Sequence, residues 1–209
     1  MRLIDETSLH TIARKLARRD EHLKKVIDEH GPPPLWAREP GFATLLQIIL
    51  EQQVSLASAR ACFEKISRRV GALTPDSVLE SNDAELRSDG FSRQKAEYAR
   101  HLAEAVVNKE VHLDVLHTLR DDNVRAELTK LKGIGRWTSD IYLLMALRRP
   151  DVMPKGDIAL HTAWHMLSGV SKPRADEFLK IAERWQPYRS VAARVLWHFY
   201  LSQRNGRRL

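Results

Sequence analysis

The sequence predicts an all-α protein. Apolar residues recur at three- and four-residue spacings through most of the 209 positions. Polar capping residues stand ahead of many of these segments, and no alternating period-two stretch of useful length occurs. The chain carries neither an internal repeat nor a low-complexity tract.

In chain order, Ile12, Leu16, Leu23, Val26 and Ile27 mark one amphipathic helix whose other face carries Arg14, Lys15, Arg18 and Arg19. The stretch GPPPLW, Gly31 to Trp36, must end it, because consecutive prolines favour extended chain. Phe42 to Leu50 is apolar nearly all round and reads as a central buried helix. The polar EQQVS, Glu51 to Ser55, interrupts it, and Ser55 caps the next helix. Thr74-Pro75 opens a short helix, with proline at the first position. Ser81 or Asn82 caps another, and Ser92 starts SRQKAEYARHLAEAVV. Asn123 is placed to cap VRAELTKL, which leads into a glycine-hinged hairpin at 131–137. Past the turn PKGD, IALHTAWHML continues as a helix to Ser168-Gly169. Pro173–Trp185 and Tyr188–Tyr200 supply the last two helices, and NGRRL is expected to be a frayed basic tail.

The net charge is +7 and the isoelectric point is near 9.7, a balance that favours a polyanionic partner, either nucleic acid or an anionic membrane surface. Ordinary solubility charge is the plainer alternative. The single cysteine, Cys62, excludes an internal disulfide, a thiolate zinc site and an iron–sulfur cluster. The first 22 residues mix both charge signs without an apolar core, so a secretory signal is not expected. The apolar runs Leu45–Leu50 and Ile141–Leu147 are too short to span a bilayer. A cytoplasmic location, or one with the DNA in nucleus or nucleoid, is the expectation.

The hairpin is the most informative segment. Gly133 and Gly135 flank Ile134, which can plug the turn into the core. Glycines permit positive φ and close approach of another backbone. The helix beginning near Arg136 offers unpaired N–H groups and the positive end of its dipole, which make an anion site. Arg136 adds charge there and Thr138 adds a hydroxyl. A plain helix–turn–helix connection with capping glycines is the alternative. Asp157 follows Trp137 by twenty residues; by position it is also an N-cap for IALHTAW. His161 and His165 have metal-like i,i+4 spacing, but no glutamate follows the first, so the zinc-protease pattern fails and a surface or cleft-edge pair is expected.

Four blocks, GFATLLQIILEQQVS, GFSRQKAEYARHLA, LKGIGRWTSDIYLLMAL with DVMPKGD, and ERWQPYRSVAARVLWHFY, occur in that order between Gly41 and Tyr200. Together they resemble the helix-hairpin-helix (HhH-GPD) DNA glycosylase superfamily, within it the DNA-3-methyladenine glycosylase II branch. The resemblance implies two helical lobes with a DNA and base cleft between them. It implies one domain over 1–209: an N-terminal helix and proline linker at 1–40, a central lobe with the hairpin at 41–150, and the catalytic turn and C-terminal helices at 151–209, packing with the N-terminus.

The resemblance makes Asp157 the catalytic aspartate, and Trp137 and Trp197 fall on positions of the base-binding region, with bracing of the hairpin the alternative role for Trp137. An indole face attracts a methylated cationic purine. Trp36 and Tyr142 are candidate further walls. Glu51 to Ser55 matches the loop that fills the gap left by an extruded base, with Gln53 as the candidate wedge and Gln52 or Leu56 as neighbours that could share that role. Family members often carry glycine where this chain has Glu51. The family also implies a sodium or potassium ion on the carbonyls of Thr129, Leu131 and Ile134, and no required cofactor.

The expected activity is monofunctional excision of alkylated purines from double-stranded DNA, by a monomer that does not engage membranes. A bifunctional glycosylase–lyase needs a lysine where Trp137 stands, and usually a four-cysteine cluster. A non-catalytic module that uses the hairpin for backbone contacts is the alternative from another class.

Overall fold

The computed structural model describes residues 3–206, and every regular element in them is helical. The chain divides into two compact units, one formed by 1–37 with 143–209, the other by 38–142. The division between 142 and 143 falls inside a helix. Of the expected C-terminal tail NGRRL, residues 207–209 lie outside the described residues, while Asn205 and Gly206 close the last helix.

The first unit holds α1 (Glu6–Ala17) and α2 (Glu21–His30), then, from the C-terminal part of the chain, α10 (Ile158–Ser168), α11 (Ala175–Ala182) and α12 (Arg189–Gly206). Leu9, Leu16, Leu23 and Val26 are buried, and α12 packs against α1, α2 and α10. The expected single N-terminal helix is in fact two. Asp20 breaks it: one carboxylate oxygen accepts the N–H groups of His22 (3.0 Å) and Leu23 (3.1 Å), and the other accepts the Trp185 indole N–H at 2.8 Å. A capped start with a buried partner outweighs helix continuation.

Arg194 of α12 is entirely buried without a paired carboxylate among its hydrogen-bond acceptors. It donates to the carbonyls of Leu35 (2.8 Å), Ser190 (3.1 Å) and Leu144 (2.8 Å). Burial pushes its guanidinium down to about 10, so the charge persists at neutral pH. The bond to Leu35 fastens the proline linker immediately before Trp36.

The second unit holds α3 (Phe42–Glu51), α4 (Leu56–Val70), α5 (Pro75–Glu80), α6 (Asp83–Asp89), α7 (Arg93–Val107), α8 (Asp121–Thr129) and the start of α9 (Arg136–Met145). Helix α3 is its centre, with Leu45, Leu46, Ile48, Ile49 and Leu50 buried against α4 and α7. Ser55, Thr74, Asn82 and Ser92 cap α4, α5, α6 and α7 by accepting N–H groups three residues on. Asn123 does not cap α8, which begins two residues earlier, at Asp121, with acidic residues in its first turn. No described helix is long and apolar enough to cross a membrane.

Arg194→Met should lower the unfolding free energy by about 3 kcal/mol, because three buried carbonyls lose their donor. Urea unfolding with an unchanged m-value would measure this. A loss below about 1 kcal/mol would show that water or a rearranged donor replaces the guanidinium.

Candidate active site

In the first unit the residues before Asp157 are fastened to the start of α12. Arg189 clamps Asp151 through Nε–Oδ1 (2.8 Å) and Nη2–Oδ2 (2.9 Å). The Val152 N–H donates to Ser190 Oγ at 2.9 Å, and the Ser190 N–H donates to the Pro150 carbonyl at 3.1 Å. Gly156 then turns the chain at φ 78°, a conformation that costs a side-chain-bearing residue more than glycine.

Asp157 follows as the N-cap of α10. Its Oδ1 accepts the Leu160 N–H at 2.9 Å and the Trp197 indole N–H at 3.2 Å. The carboxylate is therefore oriented by two donors, one from its own helix and one from α12. It also lies at the positive end of the α10 dipole. Only 7% of Asp157 is exposed. Lys155, two residues before, is held by Asp176 of α11 (Nζ–Oδ1 2.7 Å).

His161, one turn along α10, is not a surface residue as expected. It is 7% exposed, its ring packs on Phe178 at 4.8 Å, and its Nε2 has no hydrogen-bond partner. Burial pushes its pKa down, partly offset by the nearby Asp157 charge, so the ring is neutral at pH 7. His165 is exposed; no cluster of three or more His, Cys, Asp or Glu suited to a metal occurs among the described residues.

Trp197 is buried beside Asp157. Trp36 is half-buried at the end of the linker, with backbone φ 49° and its ring 6.5 Å from that of His198. His198 in turn contacts the His30 carbonyl through Nε2 at 3.0 Å. The first unit thus gathers Asp157, Trp197 and Trp36 around α12. Trp164 and Trp185, expected in packing roles, are buried in edge-to-face contact at 5.5 Å.

The second unit carries the hairpin. Leu131 and Ile134 are buried, and the Ile134 N–H donates to the Leu131 carbonyl at 3.1 Å. Gly133 sits at φ 84°, and a Cβ there would lie 2.3 Å from the Tyr98 ring. Gly135 is exposed, and its carbonyl accepts the Ser139 N–H at 3.1 Å as α9 begins. Arg136 is half-exposed; its Nε donates to Asp140 Oδ2 at 3.0 Å, and Arg125 of α8 donates to Asp140 Oδ1 at 2.7 Å. Asp140, fully buried, therefore joins the two hairpin helices. The sequence reading missed it, although the Arg136–Asp140 spacing of four was the available signal.

Three expected roles on this unit change. Thr138 is only 2% exposed and its Oγ1 accepts from Gln52 at 2.9 Å, so its hydroxyl is not presented to a phosphate. Tyr142 is 0% exposed, and its hydroxyl accepts the Gly41 N–H at 2.9 Å, which makes it a core residue instead of a pocket wall. Its phenol pKa is raised by that burial. Gln52 also donates to the Gly133 carbonyl at 2.8 Å, so its amide is committed to the hairpin and is not a wedge. Gln53 is exposed at φ 56°. Trp137 is half-buried in the first turn of α9.

A family model described as HhH-GPD superfamily base excision DNA repair protein matches residues 46–187. The chain is 29% identical over 199 residues to DNA-3-methyladenine glycosylase 1 of Schizosaccharomyces pombe, covering 91% of this chain and 87% of that one. It is 28% identical over 184 residues to Bacillus subtilis YfjP, covering 84% of this chain but only 64% of that protein. Among solved structures, the S. pombe 3-methyladenine DNA glycosylase Mag1 in complex with abasic DNA superposes with a TM-score of 0.83 at 26% identity, covering 90% of this chain and 95% of that one.

Gly133→Ala should destabilise the protein by about 2 kcal/mol, since the new methyl meets a packed ring at positive φ. In a Tyr98→Ala background the same change should cost less, and a double-mutant cycle of denaturation midpoints would measure the coupling. Strict additivity would show that backbone strain alone excludes a side chain there.

Proposed function

This chain belongs to the HhH-GPD superfamily of base excision DNA repair proteins, and on that premise we propose that it is a monofunctional DNA glycosylase. The proposed reaction is hydrolysis of the N-glycosidic bond of alkylated purines, of the 3-methyladenine and 7-methylguanine type, in double-stranded DNA. The observation that carries this reading is the Asp157 carboxylate, oriented by the Leu160 N–H and the Trp197 indole.

Cleavage of the glycosidic bond leaves positive charge on the sugar, and a fixed carboxylate stabilises it without reorganising. The same group can orient or deprotonate the attacking water. An N3- or N7-alkylated purine is already cationic and departs neutral, so no second acid is required. Trp197 supplies aromatic surface beside the acid, Trp137 is assigned to the base-binding region by its family position, and Trp36 is a proposed further wall. Gly133, Gly135 and the half-exposed Arg136 are the proposed phosphate contacts, with the hairpin carbonyls holding a sodium or potassium ion as a structural element. Gln53 is the proposed wedge. The protein acts as a monomer in this reading.

A lyase mechanism would need a free amine beside the sugar. Trp137 stands where lyase relatives carry lysine. Lys132 is ion-paired with Glu97, and Lys155 with Asp176, which supports the hydrolytic reading over Schiff-base chemistry.

Asp157→Asn keeps a side-chain oxygen to accept the Leu160 and Trp197 N–H groups, so the cap survives while the charge is removed. Release of free base from methylated duplex, followed by chromatography, should fall by about 100-fold or more, with duplex binding retained. Near wild-type turnover in this variant would overturn the assignment of Asp157. Absence of base release by the wild-type protein on any alkylated duplex would favour a non-catalytic binding module.

Cationic lesions should be released faster than neutral hypoxanthine, and Trp197→Ala should narrow that preference. An equal loss on every lesion would limit Trp197 to holding Asp157 in place.

A further inference from the structure

Three consecutive residues at the end of α3 are tied down, and the fourth is not. The Leu50 carbonyl accepts the Lys95 ammonium. Glu51 makes a bidentate pair with Arg38 at 2.8 and 3.1 Å. Gln52 donates its amide to the Gly133 carbonyl at 2.8 Å and to Thr138 Oγ1 at 2.9 Å. Gln53 then turns through φ 56°, and Gln53, Val54, Ser55 and Leu56 are all exposed.

Both acceptors of Gln52 belong to the hairpin. One is the carbonyl of the glycine packed on Tyr98, and the other is a buried hydroxyl of α9. A half-buried amide that satisfies both partners holds the loop at one distance from the hairpin. Gln53 occupies a backbone conformation that is unfavourable for a side-chain-bearing residue, and such a conformation persists only where its surroundings impose it.

We propose that Gln52 is a positioning residue, a strut that sets the wedge Gln53 against the phosphate-gripping hairpin. The inference rests on the proposed glycosylase reading. In that reading the hairpin takes hold of the backbone and the wedge enters the base stack of the same duplex. Their separation must match the spacing of phosphate and base step, and Gln52 is the direct hydrogen-bonded link between the two segments. Losing it leaves the hairpin charge and its phosphate contacts in place. What suffers is base extrusion, because the wedge is no longer aimed.

Two variants retain volume and remove the bonds from either side: Gln52→Met and Thr138→Val. Three quantities are measured: the affinity and salt slope for undamaged duplex, 2-aminopurine fluorescence beside the lesion as a reading of extrusion, and single-turnover base release. For Gln52→Met, the affinity and salt slope should be unchanged, while extrusion and base release fall about tenfold. Thr138→Val, which removes one bond, should show the same pattern with a fall of about threefold. On a duplex with an abasic position opposite the lesion, where less stacking must be broken, the Gln52→Met defect should shrink to less than about twofold. Combined with Gln53→Ala, Gln52→Met should add no further loss.

Equal loss of duplex binding and base release on both substrates would overturn the proposal and leave Gln52 a structural residue. So would unaltered release by both variants, or losses that multiply with Gln53→Ala. If the wild-type protein releases no base, the glycosylase reading and the strut fall together. If the wild type is active and the variants match it, the strut falls alone.

Discussion

The Asp157 carboxylate is the constraint on which the first unit's chemistry depends. Its Oδ1 is bonded to the α10 backbone and to the Trp197 indole. The turn that delivers it is anchored at both ends. Arg189 and Ser190 of α12 hold residues 150–152, and Gly156 makes the final bend. The helix cap and the proposed catalytic group are therefore the same side chain. In the proposed mechanism capping does not compete with catalysis, because the cap fixes the carboxylate in advance and an electrostatic catalyst needs a fixed charge. His161, one turn along α10, is buried, and that burial pushes its pKa down.

The second unit solves a different problem with similar means. A backbone-gripping hairpin needs exposed N–H groups and a rigid base. Ile134 and Leu131 anchor it below, Tyr98 fills the space a Gly133 side chain would occupy, and Asp140 ties both helices through Arg125 and Arg136. Much of the local charge is already paired: Lys132 with Glu97, Lys130 with Glu127, Arg136 with Asp140. In the proposed reading, main-chain groups and the α9 dipole therefore carry a larger share of anion recognition than a count of basic side chains suggests.

What could be read from the sequence followed local chemistry. Caps at Ser55, Thr74, Asn82 and Ser92 are short-range patterns and correspond to helix starts. The hairpin and the cap position of Asp157 were visible for the same reason. The break at Asp20 was not, because Arg18, Arg19, Asp20 and Glu21 look like the charged face of one helix, and the partner that stabilises the break, Trp185, is 165 residues away. The burial of Thr138 and Tyr142, and the commitment of Gln52 to the hairpin, depend on partners 86, 101 and 81 residues distant. Arg194 shows the limit most clearly. As a residue type it belongs on the surface, and only the convergence of three carbonyls from separate segments explains its burial.

In the proposed mechanism Asp157 places a fixed negative charge beside a developing sugar cation. The most direct measurement compares the affinity for two duplexes that differ at one position. One carries a neutral tetrahydrofuran abasic analogue, and the other a pyrrolidine analogue that is protonated at neutral pH. The wild-type protein should bind the cationic duplex at least about tenfold more tightly, and in Asp157→Asn the ratio should fall to about one. Equal affinity of the wild-type protein for both duplexes, or a preference for the cation that survives in Asp157→Asn, would contradict the account.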